Sequence, residues 1–199
     1  PQEICDYYHH IHKKVYDFFE IDFDAWGRTS TPKHSDITHE IFWDVRNNGL
    51  FEKKSEEGFW CRNCDMGLAD RLIRGTCFYE KCGYEDAQGD QCDKCGKLMD
   101  ADKLINPRCF LCSKTPEKKN SDHLYLDLEN LQERIAKFID KKSEEGFWSS
   151  NSTSISKGWL EEGLKPRCMT RDLKWGVKVP EEGLENKVFY VWFDAPFGY

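Results

Sequence analysis

The chain has 199 residues, 39% of them hydrophobic and 14% aromatic, and a formal net charge of −7. That apolar content can bury a core of one or two compact units, while the acidic balance excludes a uniformly basic nucleic-acid glove and confines any RNA contact to local patches such as Lys114 to Lys119. No apolar run approaches the ~20 residues of a membrane span, and Pro1 opens the sequence without a charged and apolar leader, so neither a membrane role nor a secretory context is expected.

Ile4, Tyr7, Tyr8, Ile11, Val15, Phe18 and Phe19 recur at three-to-four spacing and predict a helix across Pro1 to Glu20. An extended piece, Ile21 to Trp26, leads into a turn-rich stretch ending at Pro32. A second helix is predicted from Ser35 or Asp36, with Ile37, Ile41, Phe42 and Val45 on its buried face and Asn48-Gly49 ending it.

The next segment holds eight of the ten cysteines as four close pairs, Cys61/Cys64, Cys77/Cys82, Cys92/Cys95 and Cys109/Cys112. Cysteine pairs with two to four residues between them chelate from one tight turn, and two such turns close a tetrahedral zinc site, so four pairs make two sites. A disulfide scaffold is the alternative, disfavoured because closely spaced Cys-x-x-Cys pairs rarely bridge internally and nothing in the chain looks secretory. Gly83 and Gly96, each directly after a cysteine, suit the positive φ that a knuckle turn often needs. The core of this window is expected to be metal more than hydrocarbon. Spacing leaves the pairing open between nested and alternating arrangements. Cys5 and Cys168 stand apart and read as ordinary buried or semi-buried thiols.

Beyond the cysteines, His123 to Leu128 alternates as a short strand does, and Leu131, Ile135, Phe138 and Ile139 resume a helical period. Another helix is predicted from about Asn151 to Glu162, with serines before it and Gly163 after it. Lys187 to Phe193 is a continuous apolar run that reads as a buried strand of a parallel sheet. The turn after it, Asp194 to Tyr199, stands where open α/β sheets build binding sites, although a sharp strand exit fits the same residues. The octapeptide Lys-Lys-Ser-Glu-Glu-Gly-Phe-Trp occurs at 53–60 and again at 141–148. It is too short for a repeat architecture, and both copies suit a charged surface turn ending in buried aromatics.

Several pieces, in order along almost the whole chain, resemble methionyl-tRNA synthetases, class I aminoacyl-tRNA synthetases, in their two-knuckle form. They include Phe23-Asp-Ala-Trp-Gly-Arg-Thr-Ser-Thr31, Gly89-Asp-Gln-Cys-Asp-Lys-Cys-Gly-Lys97, Thr170-Arg-Asp-Leu-Lys-Trp-Gly176 and Val188-Phe-Tyr-Val-Trp-Phe-Asp-Ala-Pro-Phe-Gly-Tyr199.

The resemblance implies an α/β fold: parts of a Rossmann-type catalytic domain, residues 1–31 and 161–199, flanking a connective-peptide insertion, residues 32–160, with two zinc knuckles. It implies that Cys77, Cys82, Cys92 and Cys95 share one structural Zn2+, and that Cys61, Cys64, Cys109 and Cys112 close a second, outer site. Trp192, Ala195, Pro196 and Tyr199 fall on positions of the family's methionine pocket, and Arg171 on the wall of the same cleft. The implied substrates are methionine, ATP and tRNA(Met), the implied location is the cytoplasm, and for a full-length protein a multi-synthetase complex enters the range of partners.

The family's His-x-Gly-His and Lys-Met-Ser-Lys-Ser signatures are absent from these 199 residues. Both neutralise phosphate charge in the transition state, so the chain alone is expected to be an inactive fragment of a longer enzyme, with no catalytic residue of its own. A free-standing zinc-ribbon module that binds RNA or protein would explain the cysteines but leaves the stretch from Lys187 to Tyr199 without a purpose.

Overall fold

Helix α1 (Gln2–Phe18) forms where the apolar period predicts it, yet none of its residues is buried. In the computed structural model, which describes residues 1–198 apart from the side chain of Asp70, the aromatic side of α1 meets the following loop, where His9 and Tyr16 pack on Trp26. Helix α2 (Pro32–Asn47) starts earlier than Ser35, because the Thr31 side chain accepts a hydrogen bond from the His34 N–H and Pro32 supplies a preset first turn. Its buried residues are His34, Thr38 and Phe42, while Ile37, Ile41 and Val45 are half-buried.

Strands β1 (Phe51–Cys61) and β6 (Glu117–Leu126) run antiparallel from Phe51 opposite Leu126 to Trp60 opposite Glu117. Strand β2 (Met66–Leu68) flanks β1 and β7 (Arg167–Cys168) flanks β6, giving the order β2-β1-β6-β7. The strand expected at His123 to Leu128 is thus the end of a longer one. The β1–β6 ladder forms an arm, and the cysteine window connects its two strands at the tip.

Inside that window a second sheet has the order β4 (Ala87–Gln88), β3 (Ile73–Thr76), β5 (Ile105–Cys109). Ile73, Ala87, Leu68 and Leu104 are buried beside Cys61, Cys77, Cys92 and Cys109. The window therefore has a hydrocarbon core as well as its sulfurs, which its glycine-rich and polar composition obscures.

Helix α3 (Leu128–Glu145) begins at the Asp127 cap, and α4 (Ser150–Glu162) at the Ser149 cap; Gly163, at φ +83°, ends the latter. Among the described residues, no helix is long and apolar enough to cross a membrane.

The final apolar run is the clearest departure from expectation. Only β9 (Val188–Phe189) is strand, paired antiparallel with β8 (Thr170–Arg171), and Val191–Asp194 forms the short helix α5. Among the described residues every strand pair is antiparallel, so the parallel strand over Lys187 to Phe193 does not form. The reason lies in the phenylalanines. Phe189 at the end of β9, Phe193 in α5 and Phe197 in the 3-10 turn after it are spaced by four, and successive rings pack at 4.9 and 5.5 Å. Phe189 and Phe193 enter the main core with Phe42, Phe51, Leu124 and Leu184.

The two copies of the octapeptide adopt different structures. At 53–60 it is a stretch of β1, where Lys118 sits 3.9 Å from the Phe59 ring centre and Lys119 lies 3.8 Å from that of Trp60. At 141–148 it is the last turn of α3 followed by a loop, and Phe147 is fully exposed. Neither copy is a surface turn. The partner strand β6 settles one conformation and the helix already running from Asp127 settles the other, so context overrides local preference.

Candidate metal centres and the cleft beside them

The eight window cysteines gather into two quartets, Cys61, Cys64, Cys109, Cys112 and Cys77, Cys82, Cys92, Cys95, each with its four sulfurs within 4.8 Å of one another. Sulfur separations are 3.5 Å for Cys61–Cys112, 3.9 Å for Cys64–Cys109, 4.0 Å for Cys77–Cys95 and 3.7 Å for Cys82–Cys92. Zinc–sulfur bonds of ~2.3 Å in a tetrahedron put the sulfurs ~3.8 Å apart, so both donor sets have the size and softness of a closed zinc site. The quartets are nested: the inner four all lie between Cys64 and Cys109.

Each pair ends in the same backbone device. The residue after the second cysteine has positive φ in all four turns: Asp65 (+50°), Gly83 (+54°), Gly96 (+70°) and Ser113 (+60°). The glycines announce this in the sequence; Asp65 and Ser113 do not. The turn aims amide hydrogens at sulfur. Burial raises the Cys92 thiol, but the N–H groups of Cys95 and Lys94 pull it down to about 7, and the Lys114 N–H does the same for Cys112, to about 7. Cys64, crowded by Cys112, and Cys77, through burial, are pushed up to about 12. Four thiols without a counter-charge cannot all ionise; a dication at the centre of each quartet is what would let them.

A cavity of about 720 Å³ lies between the start of α2 and the β8–β9 pair, with Thr31, Arg171, Trp175, Tyr190 and Asp194 in its wall. The Arg171 guanidinium stacks 3.9 Å from the Tyr190 ring centre and donates to the carbonyls of Cys168 and Thr170 at 3.3 and 2.9 Å. Gly176, at φ +146°, has the Val188 side chain 3.0 Å from where a Cβ would stand, which lets the cleft wall close against β9. At the far side buried His34 places Nε2 3.4 Å from Asp194 Oδ2. Burial holds the Asp194 carboxyl above its ordinary range despite the histidine.

Of the residues that the resemblance assigns to the methionine pocket and its cleft wall, Arg171, the cleft-wall residue, lines this cavity. Trp192, 67% exposed on α5, and Ala195 and Pro196 in the following 3-10 turn do not line it. Tyr199 lies outside the described residues.

Sequence reasoning missed the polar seam behind the cleft. His123 of β6 bonds Thr170 Oγ1 through Nδ1 at 2.9 Å and approaches Asp172 through Nε2 at 3.3 Å; Lys187, 7% exposed, donates to Asp172 and to Ser121. Burial opposes the charged imidazole, yet Asp172 and Cys168 raise His123 to about 9. The same histidine and Lys187 hold the Asp172 carboxyl far below the usual range, against its burial. These bonds join the arm (β6) to the β8–β9 pair. The only sequence signal was charge beside apolar strands, too common to single out.

The chain resembles known proteins along its whole length. It is 48% identical over 199 residues to "Methionine--tRNA ligase, cytoplasmic" of Arabidopsis thaliana and 51% identical to the protein of that name from Saccharomyces cerevisiae, covering 100% of this chain but 25% and 26% of those proteins. It thus spans about a quarter of the length of these curated relatives. Among solved structures, Mycobacterium tuberculosis methionyl-tRNA synthetase in complex with methionyl-adenylate shares the fold at a TM-score of 0.60 and 15% identity, over 96% of this chain and 32% of that one. The family described as tRNA synthetases class I (M) matches residues 1–199, and the chain belongs to it.

Proposed function

We propose that this chain is the central, knuckle-bearing part of a cytoplasmic methionine--tRNA ligase. The observation that carries the reading is identity near one half, along the entire chain, to relatives of that name. The full protein would join methionine to ATP, with a carboxylate oxygen attacking the α-phosphorus and pyrophosphate leaving. It would then pass the methionyl group to the terminal ribose of tRNA(Met).

In this reading residues 1–31 and 161–199 belong to the two halves of a Rossmann-type domain, and residues 32–160 are the insertion between them. Each cysteine quartet holds a structural Zn2+; four thiolates leave no open position, so the metal supplies folding free energy and no reacting water. Arg171, Trp192, Ala195, Pro196 and Tyr199 bound the methionine site. A thioether offers almost no hydrogen-bond handle, so aromatic contacts worth ~0.3–1.5 kcal/mol each must select it. Arg171, braced on two carbonyls and stacked on Tyr190, keeps a fixed positive charge in the cleft wall. Phosphate neutralisation must come from segments other than these residues.

Methionine-dependent ATP–pyrophosphate exchange by the full-length protein tests the proposal. Arg171→Ala is expected to lower kcat/KM for methionine by ten-fold or more, about 1.4 kcal/mol of transition-state stabilisation. A full-length protein with no exchange, or with exchange driven by a different amino acid, overturns it.

A further inference from the structure

Helix α5 is four residues long, too short to keep its own shape in water, where helices below ~12–15 residues are marginal. Two neighbouring side chains fix it to the rest of the molecule. Buried Phe193 packs on Phe189, Phe51 and Phe197, with ring centres 4.9, 5.7 and 5.5 Å apart. Asp194, next in the chain, meets Nε2 of His34 through Oδ2 at 3.4 Å, across from the first turn of α2. Apolar contact is non-directional and sets how deeply α5 sits, whereas a hydrogen bond has a preferred line and sets how the helix is turned.

His34 can serve as that fixed point because it is itself held. Its backbone N–H donates to Thr31 Oγ1 at 3.2 Å, its carbonyl accepts from Thr38 Oγ1 at 2.8 Å, and its ring is buried. Further along α2, His39 Nε2 meets the Lys178 carbonyl at 2.7 Å, and Arg46 holds Glu181 through two bonds of 2.8 and 3.0 Å. Those contacts keep α2 on the segment that leads to β9 with or without the His34 imidazole.

We propose that His34 is a positioning residue: by holding Asp194 it sets the rotation of α5, and with it the placement of Trp192, Ala195 and Pro196 around the methionine side chain. Which ligand feels this strut rests on the methionine reading above; the strut itself is a matter of geometry. Its loss should weaken methionine binding and spare ATP, whose phosphates are met by other segments.

ATP–pyrophosphate exchange by the full-length, zinc-loaded protein, with amide hydrogen exchange on the same samples, is the test. His34→Ala is expected to raise KM for methionine about ten-fold with kcat and KM for ATP within about two-fold of the parent, and His34→Gln, which keeps a donor near the Nε2 position, should restore KM. The amides of Phe193 and Ala195, bonded to the Tyr190 and Val191 carbonyls, should exchange several-fold faster in His34→Ala and at the parental rate in His34→Gln. Asp194→Ala should raise KM to a similar degree, and joining it to His34→Ala should add nothing, since each removes the same bond. Equal losses in His34→Ala and His34→Gln, additive effects of the two alanine variants, or parental amide exchange at Phe193 in His34→Ala would overturn the proposal. A parent without methionine-dependent exchange, together with faster amide exchange at Phe193 in His34→Ala, would overturn the methionine assignment alone.

Discussion

Lys187 and Asp172 form an ion pair in which the lysine side chain is 8% exposed and the aspartate 22% exposed. The pair joins the strand that leads into α5 to the turn after β8, and through Ser121 and His123 it reaches the arm that carries the cysteine window. A charge this deeply placed is costly to leave alone.

Replacing Lys187 by Met leaves Asp172 with His123 and Ser121 as its remaining side-chain partners. Breaking a buried pair costs ~3–5 kcal/mol, and the surviving histidine should limit the loss to about 2–4 kcal/mol in urea denaturation. The double variant Lys187→Met, Asp172→Leu should recover part of that loss. A single variant as stable as the parent would show that the pair contributes nothing.

The same seam sets a pH window. His123 has its folded value raised to about 9, so its contribution is complete below the ordinary histidine range and fades as pH climbs through about 9. Asp172 is lowered, so its contribution is present above the ordinary carboxylate range and disappears as pH falls. Tm should be level from about pH 5 to 6.5 and decline on both sides. His123→Gln should flatten the alkaline decline; a Tm that rises between pH 7 and pH 9 in the parent would contradict this assignment.

Metal analysis of the zinc-loaded protein should find two zinc ions per chain, and Cys77→Ser with Cys82→Ser should leave one. In that variant Cys61 and Cys64 should stay protected from alkylation while Cys92 and Cys95 become reactive. Exposure of Cys61 and Cys64 instead would mean that the quartets are drawn wrongly. With chelator, amide exchange should accelerate in β3 and β5 well before it does around Leu124 and Val179 in the other core.

The positive-φ turns predict opposite effects from two small substitutions. Gly96→Ala puts a Cβ into the left-handed region at a cost of ~1 kcal/mol, whereas Ser113→Gly removes a strain of similar size and should be neutral or stabilising. Competition for zinc against a calibrated chelator reads both. Equal effects of the same sign would rule out the turn geometry as the cause.

Helices α1, α3 and α4 were legible because their apolar residues or capping serines repeat a local rule. The cysteine turns were legible for the same reason, since chelation is a matter of near neighbours. The strand of β1 was not: Lys53 to Glu57 has no strand propensity, and only the partner β6 holds it extended. The run to Phe193 misled through its continuous hydrophobicity, although the four-residue recurrence of Phe189, Phe193 and Phe197 was present in it. His34 with Asp194, and His123 with Asp172, were invisible because each contact spans a long stretch of chain and depends on how sheets and helices meet.

The nested quartets also fix an order of assembly. Closing the inner ring spans as few as 10 residues, Cys82 to Cys92, while the outer ring must join Cys64 to Cys109 across 45. Loop-closure entropy grows with the logarithm of length, so the outer closure from an open chain is costlier by about 1.3 kcal/mol. Once the inner ring has formed, much of that span is already drawn in. A newly made chain would therefore acquire its metals from the inside outward, and the β1–β6 arm would zip last, on a tip already made rigid.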